Sequence, residues 1–411
     1  MKHADDVEHL AGCAKCRQRF AGKAIPTDSG ERLARKREFV AAAVRLERER
    51  NDAADVVARH LRETPVAEWP RLAGLPSLRN NAALEQMSEE VRKRLHRRPT
   101  EALTIAQLST AVAEAVPAGL YPPLVLAQMR ANAWKDRASA LRYLARYDEA
   151  LNAATRGENF LAPFAAVEHD RAIVRMVKGM VLMQSGRLDE AGPVLAECRR
   201  VFAEHHDHRR HVHAGIAEGS VLYEMSRYAD ARDIFASILD DAVAAGDSES
   251  QARIHNNLGY CMTHLGDYDR ASIHFSEAIA KFTDLGFTTE VPRTERGAGV
   301  VLIARGQTTA GLAYLRAARR DFNAAGVIEE AGLCALSIAA SLVERGESDE
   351  ARALTQEVID EFTSVGLDER AIAAVVRLRD AIDVAGATAE TVRTVHAFVE
   401  SLRDEMCCVA N

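Results

Sequence analysis

A recurrence of small residues every forty positions runs through the C-terminal two thirds of this 411-residue chain. Taking Ala252 to Asp284 (ARIHNNLGYCMTHLGDYDRASIHFSEAIAKFTD) as the reference, Gly259 falls on Gly219 and Gly179 upstream and on Gly299 and Ala339 downstream. Ala271 aligns with Ala191, Ala231, Gly311 and Ala351, and Gly266 with Gly186, Ser226, Gly306, Gly346 and Gly386. Gly246, Gly286, Gly326 and Gly366 close successive units. Two small columns, each inside an apolar run of helical spacing and separated by a Gly-Asp-Tyr-Asp turn, describe a helix hairpin. Small residues let the two backbones approach, and Leu258, Phe275 and Phe282 fill the seam. Phe282 recurs as Phe202, Phe322 and Phe362. One hairpin cannot bury its own apolar face, so successive hairpins must stack into a solenoid.

A Gly or Ala, an Ala twelve residues on after an acidic turn, and a Phe or Leu four residues further resembles the tetratricopeptide repeat. The unit is longer than the usual length of about thirty-four residues, which predicts longer helices and a longer loop between repeats. An earlier copy spans Ala131 to Ala162, with Trp134 at the family's Trp position, Ala138 at the Gly position and Arg146-Tyr147-Asp148-Glu149-Ala150 at the turn. Six repeats follow from Ala131 to about Leu367. A degenerate seventh turns at Gly386 into a final helix expected over Glu390 to Met406 as the cap. The resemblance implies an all-α fold: a right-handed superhelical solenoid of antiparallel helix pairs, preceded by a small helical region. The expected divisions are 1–24, 25–128, 129–385 for the repeats, and 386–411 for the capping helix and tail.

The N-terminal stretch contains His9-Leu10-Ala11-Gly12-Cys13-Ala14-Lys15-Cys16. On a helix, ligand types at i, i+4 and i+7 share one face, and one imidazole with two thiolates is a zinc-type donor set. A fourth ligand is required. His3 folding back, a groove residue, a partner or water are the candidates. This His-x3-Cys-x2-Cys pattern resembles that of zinc-binding anti-sigma factors, over about twenty-five residues, although only eight residues precede His9. The resemblance implies zinc at His9, Cys13, Cys16 and His3, and a sigma factor as partner. An unmetallated thiol pair, and a redox pair that releases zinc on oxidation, stay open beside it.

Between Ala24 and Gly30 a short linker precedes helical sequence over Glu31 to Leu61. Prolines 65, 70 and 76 interrupt it, and an Arg-rich helix over Leu78 to Arg98 follows. Thr100 is the expected N-cap of a helix over Ala102 to Ala115. Residues 1–100 carry 21 Lys/Arg against 15 Asp/Glu, leaving 32 against 45 of the totals 53 and 60. A modest basic excess of this kind is more often a solvated face than a nucleic-acid site. No apolar run is long enough for a membrane span and no signal-peptide core is present, so the cytoplasm is the expected compartment. Cys198, Cys261 and Cys334 sit at helical repeat positions and read as small core residues. His205, His206, His208, His211 and His213 cluster in what reads as a solvated loop between repeats.

No Gly-rich phosphate loop, nucleophile elbow or His-Glu-x-x-His occurs, so the reading is against catalysis. The repeat family lines its concave groove with the first helix of each unit. That resemblance places Lys135, Arg142, Met176, Met180, Met183, Tyr223, Arg253, Asn256, Tyr260, His264, Arg293, Arg296 and Arg305 in the groove. Arg recognises carboxylates in bidentate fashion and Met adapts to irregular apolar surfaces, so the expected ligand is an acidic, amphipathic peptide or protein helix. The rival is a stand-alone scaffold or peptide-sensing solenoid in which the Cys motif is incidental.

Overall fold

The computed structural model describes residue 50 and residues 52–165, 167–384 and 386–409, with side chains as far as Leu402. The zinc-type motif at His3, His9, Cys13 and Cys16 lies outside the described residues. Every regular element described is a helix, as the repeat pattern predicts. The chain divides into two compact units, residues 1–166 and 167–411.

In the first unit a helical stretch over 52–63 leads into two 3-10 turns, Val66–Gly74 and Pro76–Leu78. Four helices follow: α1 (Asn81–Arg94), α2 (Pro99–Ala115), α3 (Pro123–Tyr143) and α4 (Tyr147–Leu161). The Asn80 side chain caps α1 by accepting from the Ala83 amide at 2.8 Å. Thr100 does not cap α2. Pro99 takes the first helical position, where its fixed φ is preorganised and its missing N–H costs nothing, so the cap falls on Arg98. α3 and α4 form the first repeat, and Trp134 anchors it: its indole donates to Glu114 of α2 at 3.1 Å, and the Arg137 and Arg156 guanidinium groups sit 4.8 and 4.2 Å from the ring centre. α1 and α2 pack on each other and both contact α3. The helical region before the repeats thus includes a pair of helices packed on each other and on the first repeat.

The second unit runs α5 (Glu168–Gln184), α6 (Leu188–Glu204), α7 (His208–Glu224), α8 (Tyr228–Ala244), α9 (Ser248–His264) and α10 (Tyr268–Asp284). It continues with α11 (Glu290–Ala304), α12 (Thr308–Ala324), α13 (Ile328–Glu344), α14 (Ser348–Ser364), α15 (Glu369–Asp383) and α16 (Ala389–Val409). The turn between α9 and α10 shows why Gly-Asp-Tyr-Asp recurs. Gly266 adopts a left-handed φ of 76°, the Asp267 amide donates back to the Met262 carbonyl at 2.9 Å, and the Asp267 carboxylate then caps α10 at the Arg270 amide. Gly186, Gly306 and Gly346 are left-handed at the same column, and Ser226 adopts φ 59° there without glycine's freedom. Gly386 does not join them.

The small columns are set by what packs on them. A Cβ on Gly259 would lie 2.7 Å from the Phe275 ring, one on Gly219 2.6 Å from Phe235, and one on Gly179 2.7 Å from Leu195. Helix backbones meet most closely at Gly311, whose Cβ would come within 2.5 Å of the Gly299 carbonyl. In the sixth repeat Ala339 stands in this column, and Thr355 stands where the four preceding repeats carry Leu195, Phe235, Phe275 and Leu315. Phe202, Phe282, Phe322 and Phe362 are all buried, as their recurrence predicts.

First helices of adjacent pairs, α7 with α9, α9 with α11 and α11 with α13, approach one another more closely than the second helices do. Within this unit, therefore, the first helices line the inner face. The final helix breaks the pattern. α15 packs on α14, but α16 packs chiefly on α13 rather than on α15, its expected hairpin partner.

Candidate functional site: the inner helix face

Inner-face positions follow from the forty-residue register. Positions 176, 216, 256, 296 and 336 form one column, and 180, 220, 260, 300 and 340 another. Met176 packs partly buried against Cys198, Phe202 and Ala214, and Met180 and Met183 are half-buried. Lys135 and Arg142 belong to the first unit, where Lys135 pairs with Asp136 at 2.9 Å and Arg142 lies 4.5 Å over the Tyr143 ring.

The middle of the inner face is aromatic and hydrogen-bonded. The Tyr223 hydroxyl and His264 Nε2 are 2.9 Å apart, and the Tyr228 ring stacks on His264 at 4.1 Å and 7°. Tyr260 donates to the Arg293 carbonyl at 3.1 Å and sets its edge on Phe275. The Thr294 hydroxyl donates to Asn256 Oδ1 at 3.0 Å, tying α9 to α11. Burial raises the Tyr223 and Tyr260 hydroxyls above the ordinary phenol range, so both stay protonated donors. Burial also lowers His264, against the pull of Glu400, which favours the neutral ring that can share a proton with Tyr223.

The inner-face arginines are paired with carboxylates of their own chain. Arg253 pairs with Glu249 at 3.1 Å. Arg293 lies 3.1 Å from Glu290 and 3.4 Å from Glu330. Arg296, only 9% exposed, sits 3.7 Å from Glu330 and 3.2 Å from Glu400 of α16. Burial opposes its charge, yet Tyr260, Glu400 and Glu330 around it hold the guanidinium above its ordinary range. Arg305, the C-cap residue of α11, pairs with Asp269 at 2.9 Å and donates to Ser272 on α10. Tyr228, Glu330 and Glu400 are the site residues that the repeat columns alone do not identify.

The histidine cluster also differs from its expectation as a loop. α7 begins at His208, so His208, His211 and His213 lie on its first turns. His208 and His211 both approach Asp241, at 3.4 and 3.5 Å, and His213 lies 3.8 Å from Asp247. Among the described residues no group of three or more His, Cys, Asp or Glu side chains is arranged to hold a metal. No described helix is long and apolar enough to cross a membrane.

The tetratricopeptide repeat family model matches residues 214–284, from within α7 to the end of α10. No curated protein matches the chain. Among solved structures, a Signal Transduction ATPase with Numerous Domains (STAND) protein with a tetratricopeptide repeat sensor, from Pyrococcus horikoshii, is 14% identical with a TM-score of 0.57. The match covers 91% of this chain and 57% of that one. A Rap protein complexed with Competence and Sporulation Factor is 14% identical, with a TM-score of 0.46, covering 82% of this chain and 99% of that one. The Rap conjugation gene regulator of the plasmid pLS20, in complex with the Phr* peptide, is 13% identical, with a TM-score of 0.44, covering 84% and 96%. At this identity the archaeal match speaks to the fold, an all-α solenoid of stacked helix pairs.

Proposed function

We propose that this chain is a non-enzymatic regulatory binding module that takes an acidic, amphipathic segment of a protein or peptide on the inner face of α5 to α11. The observation that carries the reading is one surface combining half-buried methionines (Met176, Met180, Met183), hydrogen-bonding aromatics (Tyr223, Tyr260) and an arginine, Arg253, whose present partner is an exposed carboxylate. Arg253 and Glu249 are an exposed i,i+4 pair, of a kind worth only about 0.3–0.5 kcal/mol. Exchanging that carboxylate for one on a ligand costs little, and a bidentate contact recovers more. Methionine and tyrosine supply adaptable apolar area for the rest of a helix.

The test is a titration of labelled amphipathic peptides matched in apolar content and differing in charge. Acidic members bind, their affinity falls with salt, and Arg253→Glu weakens them. Equal binding of acidic and basic members would remove the arginines from the site.

A finer reading makes the partner a sigma factor and assigns zinc to residues 1–24. It rests on the His9, Cys13, Cys16 spacing, with His3 as the candidate fourth ligand. Elemental analysis of protein purified without added metal or chelator tests it: one zinc per chain, lost in Cys13→Ser/Cys16→Ser, supports the reading. No zinc in the wild type removes the ground for a sigma-factor partner, and the solenoid then carries the whole function.

A further inference from the structure

The sequence of α16 carries its own ridge. Val392, Val395, Val399 and Leu402 are spaced three, four and three apart, the apolar seam of a helix that lies along another helix. Val392, Val399 and Leu402 are 0%, 1% and 2% exposed and join one core cluster with Leu333, Leu336 and Ala340 of α13, against which Val395 is packed.

The repeat register shows which surface this is. Leu336 is fully buried, whereas its equivalents Met176, Ile216 and Asn256 are half-buried, and Ala340 is buried where its equivalent Val300 is 40% exposed. What covers the inner face at α13 is α16. It reaches one repeat further back, where Glu400 lies 3.2 Å from Arg296 on α11, beside the Arg293–Glu330 pair.

This is more than closing the end of a solenoid requires. α15 already sits on α14, where the first helix of another pair would pack. α16 instead leaves its hairpin through the short link between Asp383 and Ala389. It binds the inner face as an amphipathic helix binds a groove, with an apolar ridge, one carboxylate on a buried arginine, and Phe398 left 42% exposed.

We propose that α16 is an intramolecular stand-in for the partner. The inner face at α11 and α13 receives an amphipathic helix whose carboxylate meets Arg296, and α16 must leave before a partner's helix can enter. The proposal rests on the binding role given above and specifies its ligand: a valine- or leucine-ridged helix carrying an acidic residue immediately after a ridge position. Apparent affinity for such a helix is reduced by the fraction of chains in which α16 is seated.

The experiment uses the full chain and its Glu400→Gln variant, a neutral isostere at a position one third exposed. The probe is a labelled synthetic peptide of residues 386–409 with Glu400 retained. Amide hydrogen exchange of α16 and peptide affinity are read together. The expected result is α16 exchange about tenfold faster in Glu400→Gln with α9 to α12 unchanged, and about tenfold tighter binding of the peptide, because its in-cis competitor is weakened. Exchange of α16 only together with α13 and α14, and unaltered by the substitution, would overturn the proposal and leave the binding role standing if acidic peptides still bind elsewhere on the face. Release of α16 with no peptide bound in either chain would overturn both.

Discussion

Gly259→Ala tests whether the small column is set by the aromatic ring packed on it. The added Cβ would lie 2.7, 2.7 and 2.9 Å from three ring atoms of Phe275, a side chain with no exposed surface. The ring has no retreat: a Cβ on Gly297, one repeat on, would also come within 2.8 Å of it, and the ring sits 5.0 Å from that of Tyr260. Alanine in place of a mid-helix glycine gains about 0.5–1 kcal/mol, and overpacking a closed core costs about 1–3 kcal/mol. With the ring held on both sides the upper end applies, so the net effect is a loss of about 1–2 kcal/mol. Because a solenoid opens repeat by repeat, the assay is hydrogen exchange of the slowest amides in α9 and α10, not a single global transition. In a Phe275→Leu background Gly259→Ala should cost less than in the wild type, since leucine lacks the ring atoms Cε1 and Cζ that the added Cβ meets at 2.7 and 2.9 Å. Wild-type protection in Gly259→Ala, or two substitutions whose effects simply add, would refute the reasoning.

A pH dependence follows from His255 and His274, whose Nδ1 atoms are 3.0 Å apart between α9 and α10, so one ring must accept from the other. Burial first, then the neighbouring charge of His274 for one ring and Arg270 for the other, lowers both below the ordinary imidazole range, with Glu277 opposing; Lys281 and Asp267 also face the pair. Over the interval from about pH 6.5 down to those lowered values the unfolded chain binds more protons, so stability falls as pH drops. Protection of α9 and α10 at pH 5.5 should be below that at pH 7.5, and His255→Gln should flatten the difference; an unchanged slope would exclude the pair as its source. Ser226, left-handed at a turn column where the flanking repeats carry Gly186 and Gly266, should accept Ser226→Gly with a gain of about 0.5–1 kcal/mol, read as slower exchange in α7 and α8. A loss of protection there would mean the serine is held by more than its backbone.

The fold was legible because the period and the turn chemistry agree: the left-handed glycines, the Asp caps and the buried Phe column all lie where a forty-residue unit puts them. The α1–α2 pair was not legible as a stacked pair, since the prolines before it and the loops around it carry no repeat register. The destination of α16 was hidden for a different reason. Its Val-Val-Val-Leu ridge fixes that it lies along another helix, but α13 and α15 each carry an apolar face, and local pattern does not choose between them. The columns likewise assign Arg293 and Arg296 to the inner face without showing that Glu330 and Glu400 meet them there, contacts that span 37 residues in one case and 104 in the other.

The most direct test of the inner face as the binding surface is photo-crosslinking of an acidic amphipathic peptide to the full chain. The account predicts crosslinks to Met180, Tyr223, Tyr260 and Arg293 on the first helices, increased by Glu400→Gln. Crosslinks confined to the second helices α6, α8, α10 and α12 would contradict it.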